Sequence, residues 1–367
     1  MNKKVAFCIN DLPLAGAENV IFNTYFFLLK QNLISKDSFL ILLSNKLLDD
    51  YFLEKINEYN INYFVFFNYN HPSKFKNIRR IFTFFLNNNF DTFHVNLSPA
   101  LFAFPLLKFM GILKRPKLIF TEHSTSNNRP NNRLYLYIES LFYLKYDNIV
   151  CISEFVKQSL ILRLGSRLIN KTTTISNGLF PLIEARENEN IRKELNISNE
   201  SKLLLMTSRI GDGKDHLTLI KAFEDCFSEN LYLIFIGSGN FKTIINKVKS
   251  KKIKNNIISL GIRKDARKIM NEVDINILSS EYEGVSGVTL EAFFTKKPYL
   301  GSNVEGIKDL VGTDKSLFNF GDHKDLATKI VAILNNTSLS KHISNSNFKK
   351  LSDYDYQSYL KKILNLY

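Results

Sequence analysis

Short apolar runs bounded by turn residues recur along this chain, and their spacing sets its organisation. Lys4 to Asn10 (KVAFCIN) is the first. An uninterrupted run of this kind is the mark of a strand buried on both faces of a parallel sheet. The loop DLPLAGAE follows, then an apolar helical pattern from Asn19 to Leu29, so the opening is a βα unit with Gly16 at its turn. Further strands are predicted at Ser38 to Leu43, Tyr63 to Phe67, Thr92 to Leu97, Lys117 to Thr121, Asn148 to Ile152 and Thr173 to Ile175. Ser153-Glu154 is placed to cap a helix from Phe155 to Arg163, and Ser176-Asn177-Gly178 is a turn signal.

Residues 181–201 are polar and weakly periodic, which marks a linker region. Beyond it the alternation resumes, with strands at Leu203–Ser208, Tyr232–Ile236, Ile257–Leu260, Ile275–Leu278, Tyr299–Ser302 and Leu317–Phe320. Helical patterns lie between, such as Leu217–Phe227 and Asp325–Leu334, and Ser352 to Tyr367 has the pattern of an amphipathic helix. Strict alternation in both halves predicts an α/β protein of two doubly wound, Rossmann-like domains. Their expected limits are 1–180 and 181–350, with 351–367 as a helix returning toward the first. No short-period repeat is present, which argues against a solenoid.

Composition agrees with this and narrows the partners. The 367 residues are 45% hydrophobic and 23% charged, enough apolar material for two cores. The formal net charge is +14. Nucleic acid, anionic lipid or an acidic substrate could each account for it. No nucleic-acid reader motif is found, and basic residues recur beside apolar aromatic stretches, which favours an anionic membrane surface. Lys74 to Leu86 (KFKNIRRIFTFFL) sets Lys74, Lys76, Arg79 and Arg80 among aromatic and aliphatic residues. It fits either a membrane-interface helix or a core helix with a solvated basic face. The apolar stretch Pro99 to Lys117, ending Lys114-Arg115-Pro116-Lys117, adds to the first reading. It is interrupted by Pro105 and Lys108, too broken to span a bilayer, and no secretory signal opens the chain. A soluble or peripheral cytoplasmic protein is therefore expected. Cys8, Cys151 and Cys226 are far apart and odd in number, consistent with free buried thiols.

Ligands of such folds bind beyond the carboxyl ends of the strands. The residues found there include Gly16, His94, Asn96, Glu122-His123, Arg209, Lys214, Gly237-Ser238-Gly239, Gly261-Ile262-Arg263 and the stretch Glu283 to Glu291. Ser279 to Gly306 reads as turn, helix start and strand, the arrangement that presents backbone N–H groups to a phosphate. Glu283 and Glu291 flank that helix start. Carboxylates repel phosphate oxygens, so they suit sugar hydroxyls on either side of a diphosphate, which points to a nucleotide sugar. Arg209 and Lys214 could clamp the diphosphate, although that loop alone reads equally well as a solvated basic turn. His123 is placed for ligand contact, with Glu122 either orienting its ring or facing away. His94 and Asn96 are weaker candidates, and His216 is expected to be structural. No His/Cys cluster has metal spacing, and the Asp353, Asp355 pair lies away from every strand end.

Five motifs in order carry a family resemblance. Leu14-Ala-Gly-Ala-Glu18, Thr121-Glu-His123, Ile175-Ser-Asn-Gly178, Arg209 with Lys214, and Ser280-Glu-Tyr-Glu-Gly284 through Leu290-Glu-Ala292 together resemble the retaining GT-B glycosyltransferases of family 4, group 1, of bacterial surface-polysaccharide assembly. The resemblance implies two Rossmann-like domains facing across a cleft, and a metal-independent transfer that needs no cofactor. The donor would be a nucleotide diphosphate sugar, uridine-based, and the acceptor a lipid-linked oligosaccharide of an O-antigen or capsule pathway. It assigns Arg209 and Lys214 to the diphosphate, Glu291 to the ribose and Glu283 to the donor sugar. Backbone N–H groups near Val288 and Thr289, with Gly16, would complete the phosphate cradle, Gly284 would also bind the donor, and Ile262 would lie near the base and His123 near sugar and acceptor. Ala15, Lys297, Asn303 and Glu305 depart from the family pattern. A nucleotide-sugar 2-epimerase and a catalytically silent partner subunit share the architecture. Release of free epimer would mark the first, and binding without turnover the second.

Overall fold

The computed structural model describes residues 2–67, 74–113, 116–124, 129–181, 190–211 and 213–367, without the side chains of 74–76. Part of the expected linker (182–189), the basic pair Lys114-Arg115, and the side chains of Lys74 and Lys76 thus lie outside the described residues. The chain divides into two compact units, 1–180 with 356–367, and 181–355.

In the first unit the elements run β1 (Val5–Ile9), α1 (Gly16–Lys30), β2 (Phe39–Ser44), α2 (Asp50–Glu58), β3 (Tyr63–Phe67), α3 (Lys74–Asn87), β4 (Thr92–Asn96), α4 (Ala100–Phe109), β5 (Lys117–Glu122), α5 (Arg133–Tyr143), β6 (Asn148–Cys151), α6 (Glu154–Leu164) and β7 (Thr172–Thr174). The seven strands form one sheet in the order β3-β2-β1-β4-β5-β6-β7. Each pairing is parallel. Ser153 caps α6, its Oγ accepting from Val156 N at 3.1 Å. The period of two along β4 separates the two faces of the sheet. Phe93 meets Phe85 of α3 and Phe104 of α4, while His94, its neighbour, meets Phe7 and Tyr367 on the other side.

The second unit contains α7 (Ile191–Glu194), β8 (Lys202–Thr207), α8 (His216–Asp225), β9 (Leu231–Ile236), α9 (Lys242–Ile245), α10 (Lys251–Asn255), β10 (Ile257–Ser259), α11 (Ala266–Glu272), β11 (Ile275–Leu278), α12 (Gly287–Phe294), β12 (Tyr299–Ser302), β13 (Leu317–Phe318), α13 (His323–Asn335) and α14 (Thr337–Lys350). Its six strands are ordered β10-β9-β8-β11-β12-β13. Again every pairing is parallel.

The segment expected as one helix from Ser352 is broken. A short 3-10 turn, Leu351–Tyr354, is followed by Asp355 in extended conformation (φ −60°, ψ 126°), and α15 (Tyr356–Leu364) starts after it. This last helix belongs to the first unit. Tyr356 packs on Phe27 and Phe180, and the Tyr359 hydroxyl lies 3.1 Å from Thr24 Oγ1. Gly178 is the seat for it, since a Cβ there would lie 2.7 Å from Tyr356 Cα. Gly178→Val is accordingly expected to lower the stability of the first unit by about 1–3 kcal/mol, the usual penalty of overpacking. Urea unfolding followed by tyrosine fluorescence would measure it.

Candidate functional site

In the second unit the strand order reverses between β8 and β11, and the loops that follow these two strands flank a crevice of the kind that takes ligands. They are stitched together by backbone bonds. Asp215 N donates to Ser279 O at 2.9 Å, Glu281 N donates to Gly213 O at 3.0 Å, and Lys214 and Ser280 form an isolated antiparallel bridge. Side chains add to this. Lys214 Nζ donates to the Glu283 carboxylate and to Ser280 Oγ (3.3 Å), and Ser280 Oγ donates to Glu283 Oε1 at 2.8 Å. Lys214 and Glu283, separate contacts in the sequence reading, are therefore one ion pair, and Ser280 is a third member that the sequence did not single out. Arg209 is exposed and makes no ion pair among the described residues.

Close backbone approach explains several glycines of this region. A Cβ at Gly237 (φ 146°) would lie 2.0 Å from Ser208 O, and one at Gly239 (φ 124°) 2.4 Å from Ile210 O. The Gly237-Ser238-Gly239 turn is thus the bed on which the Arg209 loop lies, held by Ile210 N to Ser238 O at 2.7 Å. Gly306 (φ 78°) performs the same service for the acidic loop, since a Cβ there would lie 2.4 Å from Glu283 O. Ser302 Oγ accepts from Ser280 N at 2.8 Å and fixes the other side of that loop.

Helix α12 starts at Gly287, with Ser286 as its cap. Thr289 N donates to Ser286 Oγ (3.3 Å), and the Thr289 and Tyr299 hydroxyls bond each other at 2.7 Å. Thr289, expected in the phosphate cradle, is therefore turned inward with its N–H engaged by the helix cap. The N–H groups of Gly287 and Val288 make no bond among the described residues, as the first turn of a helix leaves them. Nothing lies within 4 Å of a Cβ built on Gly287, so space is open in front of this helix start. Glu291 is half-buried, and burial raises its carboxyl, opposed by the charge of Arg267. Gly284 is half-buried in the acidic loop, and Ile262 is exposed beside Gly261, whose carbonyl accepts from Gly237 N at 2.8 Å.

In the first unit the order reverses between β1 and β4. Helix α1 opens at Gly16 after β1, and a Cβ on Gly16 would again meet nothing within 4 Å. Asn96 ends β4, and His123 follows β5. His94 is buried with both ring nitrogens bonded, Nε2 to Thr121 Oγ1 (2.6 Å) and Nδ1 to Tyr367 OH (2.8 Å), so it has no nitrogen left for a ligand. Glu122 faces away from His123. It bonds Arg129 (3.1 Å) and the Tyr143 hydroxyl, within a buried network in which Glu139 holds Arg129 (2.5 Å) and Arg163 (3.0 Å).

Asn96, not Glu122, orients His123. Its Nδ2 donates to His94 O at 3.1 Å, which leaves Oδ1 as the acceptor 3.2 Å from His123 Nε2. The proton then sits on Nε2, and Nδ1, buried without a partner among the described residues, is an acceptor. Burial lowers the His123 pKa to about 4, against the opposing charge of Glu122. A neutral ring of this kind accepts a hydroxyl proton in a hydrogen bond.

Burial also lowers His94 to about 3 and His216 to about 4. His216 is structural, as expected, with Nε2 3.1 Å from Ser208 Oγ. Below pH ~6.5 the unfolded chain takes up protons that the folded chain refuses. Stability is therefore full above that pH and is lost as pH falls toward 4, by about 1.4 kcal/mol per pH unit for each such histidine. Urea midpoints measured from pH 7 to 5 should show this slope, and it should shrink in His94→Gln.

A family model described as "Glycosyltransferase Family 4" matches residues 24–179, and one described as "Glycosyl transferases group 1" matches residues 187–350. The N-acetyl-alpha-D-glucosaminyl L-malate synthase of Bacillus anthracis is 27% identical over 162 residues, 43% of this chain and 42% of that protein. The capsular polysaccharide biosynthesis glycosyltransferase CapM of Staphylococcus aureus is 26% identical over 233 residues, 60% of each. The matches thus span less than two thirds of either relative. Among solved structures, Anabaena HepE in complex with UDP and glucose superposes with a TM-score of 0.82 at 19% identity, covering 99% of this chain and 98% of that one.

Proposed function

The chain belongs to the group 1 glycosyltransferases of family 4, and we propose that it moves a hexose or N-acetylhexosamine from a UDP-sugar to a lipid-linked oligosaccharide in surface-polysaccharide assembly. Transfer would retain the anomeric configuration. The observation that carries this reading is the Lys214, Ser280, Glu283 cluster at the switch point of the second sheet, beside an open helix start. A cation for phosphate is fixed there against a carboxylate for sugar hydroxyls. The UDP and glucose bound by HepE and the capsular role in the name of CapM support the donor class and the pathway.

In this proposal the second unit holds the donor. Arg209, Lys214 and the N–H groups of Gly287 and Val288 neutralise the diphosphate, Glu291 takes the ribose, and Ile262 offers apolar surface to the base. Transfer is a front-face displacement. The bond from the anomeric carbon to the diphosphate oxygen breaks as the acceptor oxygen bonds on the same face, and the acceptor proton passes to the departing diphosphate. Positive charge placed where that negative charge develops is the main source of rate. To the first unit we assign the acceptor side, with His123 Nδ1 accepting from a sugar hydroxyl and Gly16 leaving room before α1. The acceptor's lipid would place the protein on the inner face of the plasma membrane. A metal ion has no role in this scheme, so chelators are expected to leave turnover unchanged.

A panel of nucleotide sugars, scored for slow hydrolysis and for protection against heat unfolding, tests the reading. UDP-sugars should protect and be hydrolysed. Failure of every nucleotide sugar to protect would overturn it, and release of a free epimer would replace transfer with epimerisation.

A further inference from the structure

Helices α3 and α4 cover the same face of the first sheet, because Phe85 and Phe104 both pack on Phe66 and Phe93. Helix α5 continues that layer, its Tyr135 and Phe142 gripping Phe102 of α4. A helix on the surface of a globular protein turns polar residues outward. Here the pattern is doubled. Tyr143 of α5 is buried inward, yet Leu134 (70% exposed), Tyr137 (63%), Ile138 and Leu141 form a second apolar stripe at helical spacing on the outer side. Phe109 (87%) and Met110 (63%) at the end of α4 are further large apolar side chains left exposed. Several large apolar side chains side by side in solvent mark an interaction surface.

We infer that the outer face of α3, α4 and α5 is a docking surface for an anionic lipid bilayer. Charge decides the occupant. Helices α3 to α5 carry six Lys and Arg against one Glu. That one, Glu139, is buried between Arg129 and Arg163 and offers no outward charge. Exposed Arg133 and Lys145 bracket the α5 stripe, and Arg79 and Arg80 are exposed on α3. A second copy meeting this face would set cation against cation, whereas anionic headgroups neutralise them while the acyl boundary takes the apolar stripe. Among the described residues no helix is long and apolar enough to cross a membrane, so the contact is with one leaflet. This extends the lipid-acceptor reading to a named surface, displacing its centre from α3 to α4 and α5.

Flotation of the whole chain with vesicles tests this, without donor or acceptor, so that failure of the transfer reading leaves the result standing. Wild type should float with vesicles containing phosphatidylglycerol and not with phosphatidylcholine alone, and salt should weaken the binding. Leu134→Asp with Tyr137→Asp should lower binding by about tenfold. Arg79→Glu with Arg133→Glu should lower it by about tenfold or more. All four positions are exposed, and an unchanged melting temperature checks that the variants fold. Wild type that stays behind with phosphatidylglycerol vesicles, or variants that float like wild type, would overturn the proposal. So would a wild-type dimer that the Leu134 and Tyr137 changes dissociate.

Discussion

Lys214→Ala is expected to lower the turnover of donor by about 10²–10³-fold, the range for removing one charged contact to a departing oxyanion. The ion pair adds a second expectation. With Lys214 gone, the half-buried Glu283 carboxylate loses its cation and, among the described residues, retains the hydrogen bond from Ser280 Oγ. It would then repel the donor as well as fail to anchor it. Adding Glu283→Gln to Lys214→Ala should therefore recover part of the lost donor binding, although each single change is damaging. The cycle of single and double variants, read as kcat/KM, gives a coupling of about 0.5–3 kcal/mol if the two side chains act as one unit. Near-wild-type turnover in Lys214→Ala, or strict additivity, would remove the cluster from the site.

The second large effect is on stability. Arg129→Ala is expected to destabilise the first unit by about 3–5 kcal/mol, because it strands buried carboxylates. The arginine lies between Glu122 and Glu139, with side chains 7%, 4% and 0% exposed. Desolvation works against the Arg129 guanidinium, but the charge of Glu122 and the hydrogen bonds to Glu139 and Tyr143 outweigh it and hold the group firmly in its charged form. Replacing Glu122 and Glu139 by glutamine together with Arg129→Met should cost far less than Arg129→Ala alone, since no unpaired charge is then left inside. Denaturant unfolding of the two variants decides it: equal losses would show that the network is not what holds this region.

The strands were legible because parallel strands are apolar on both faces, so they appear as short unbroken runs such as Val5–Ile9 and Ile275–Leu278. Pairing between distant side chains was not. Lys214 and Glu283 stand on loops after different strands, and only the register of β8 beside β11 brings them together. Glu122 and His123 are adjacent in sequence, yet their side chains take opposite directions, and Asn96 replaces the acid as the partner of the imidazole. The stripe on α5 was hidden for another reason. Hydrophobic period reports that a helix has an apolar side, and it assigns that side to the core; in α5 the side it marks is exposed, while Glu139 opposite is buried on Arg129 and Arg163. Of the departures from the family pattern, Glu305 is absorbed locally by Lys308 (2.5 Å), and the Asn303 backbone bonds Phe318 O (2.7 Å).

The return of α15 to the first unit bears on how the protein is made. A ribosome delivers residues 1–180 first, but Tyr356, Tyr359 and Tyr367, which cover Phe27, Thr24 and His94, emerge only after the whole second unit. Until then the first unit has an open apolar flank, and it waits on its younger neighbour to finish. Slower synthesis lengthens that interval, so the first unit is expected to need chaperones until α15 has emerged.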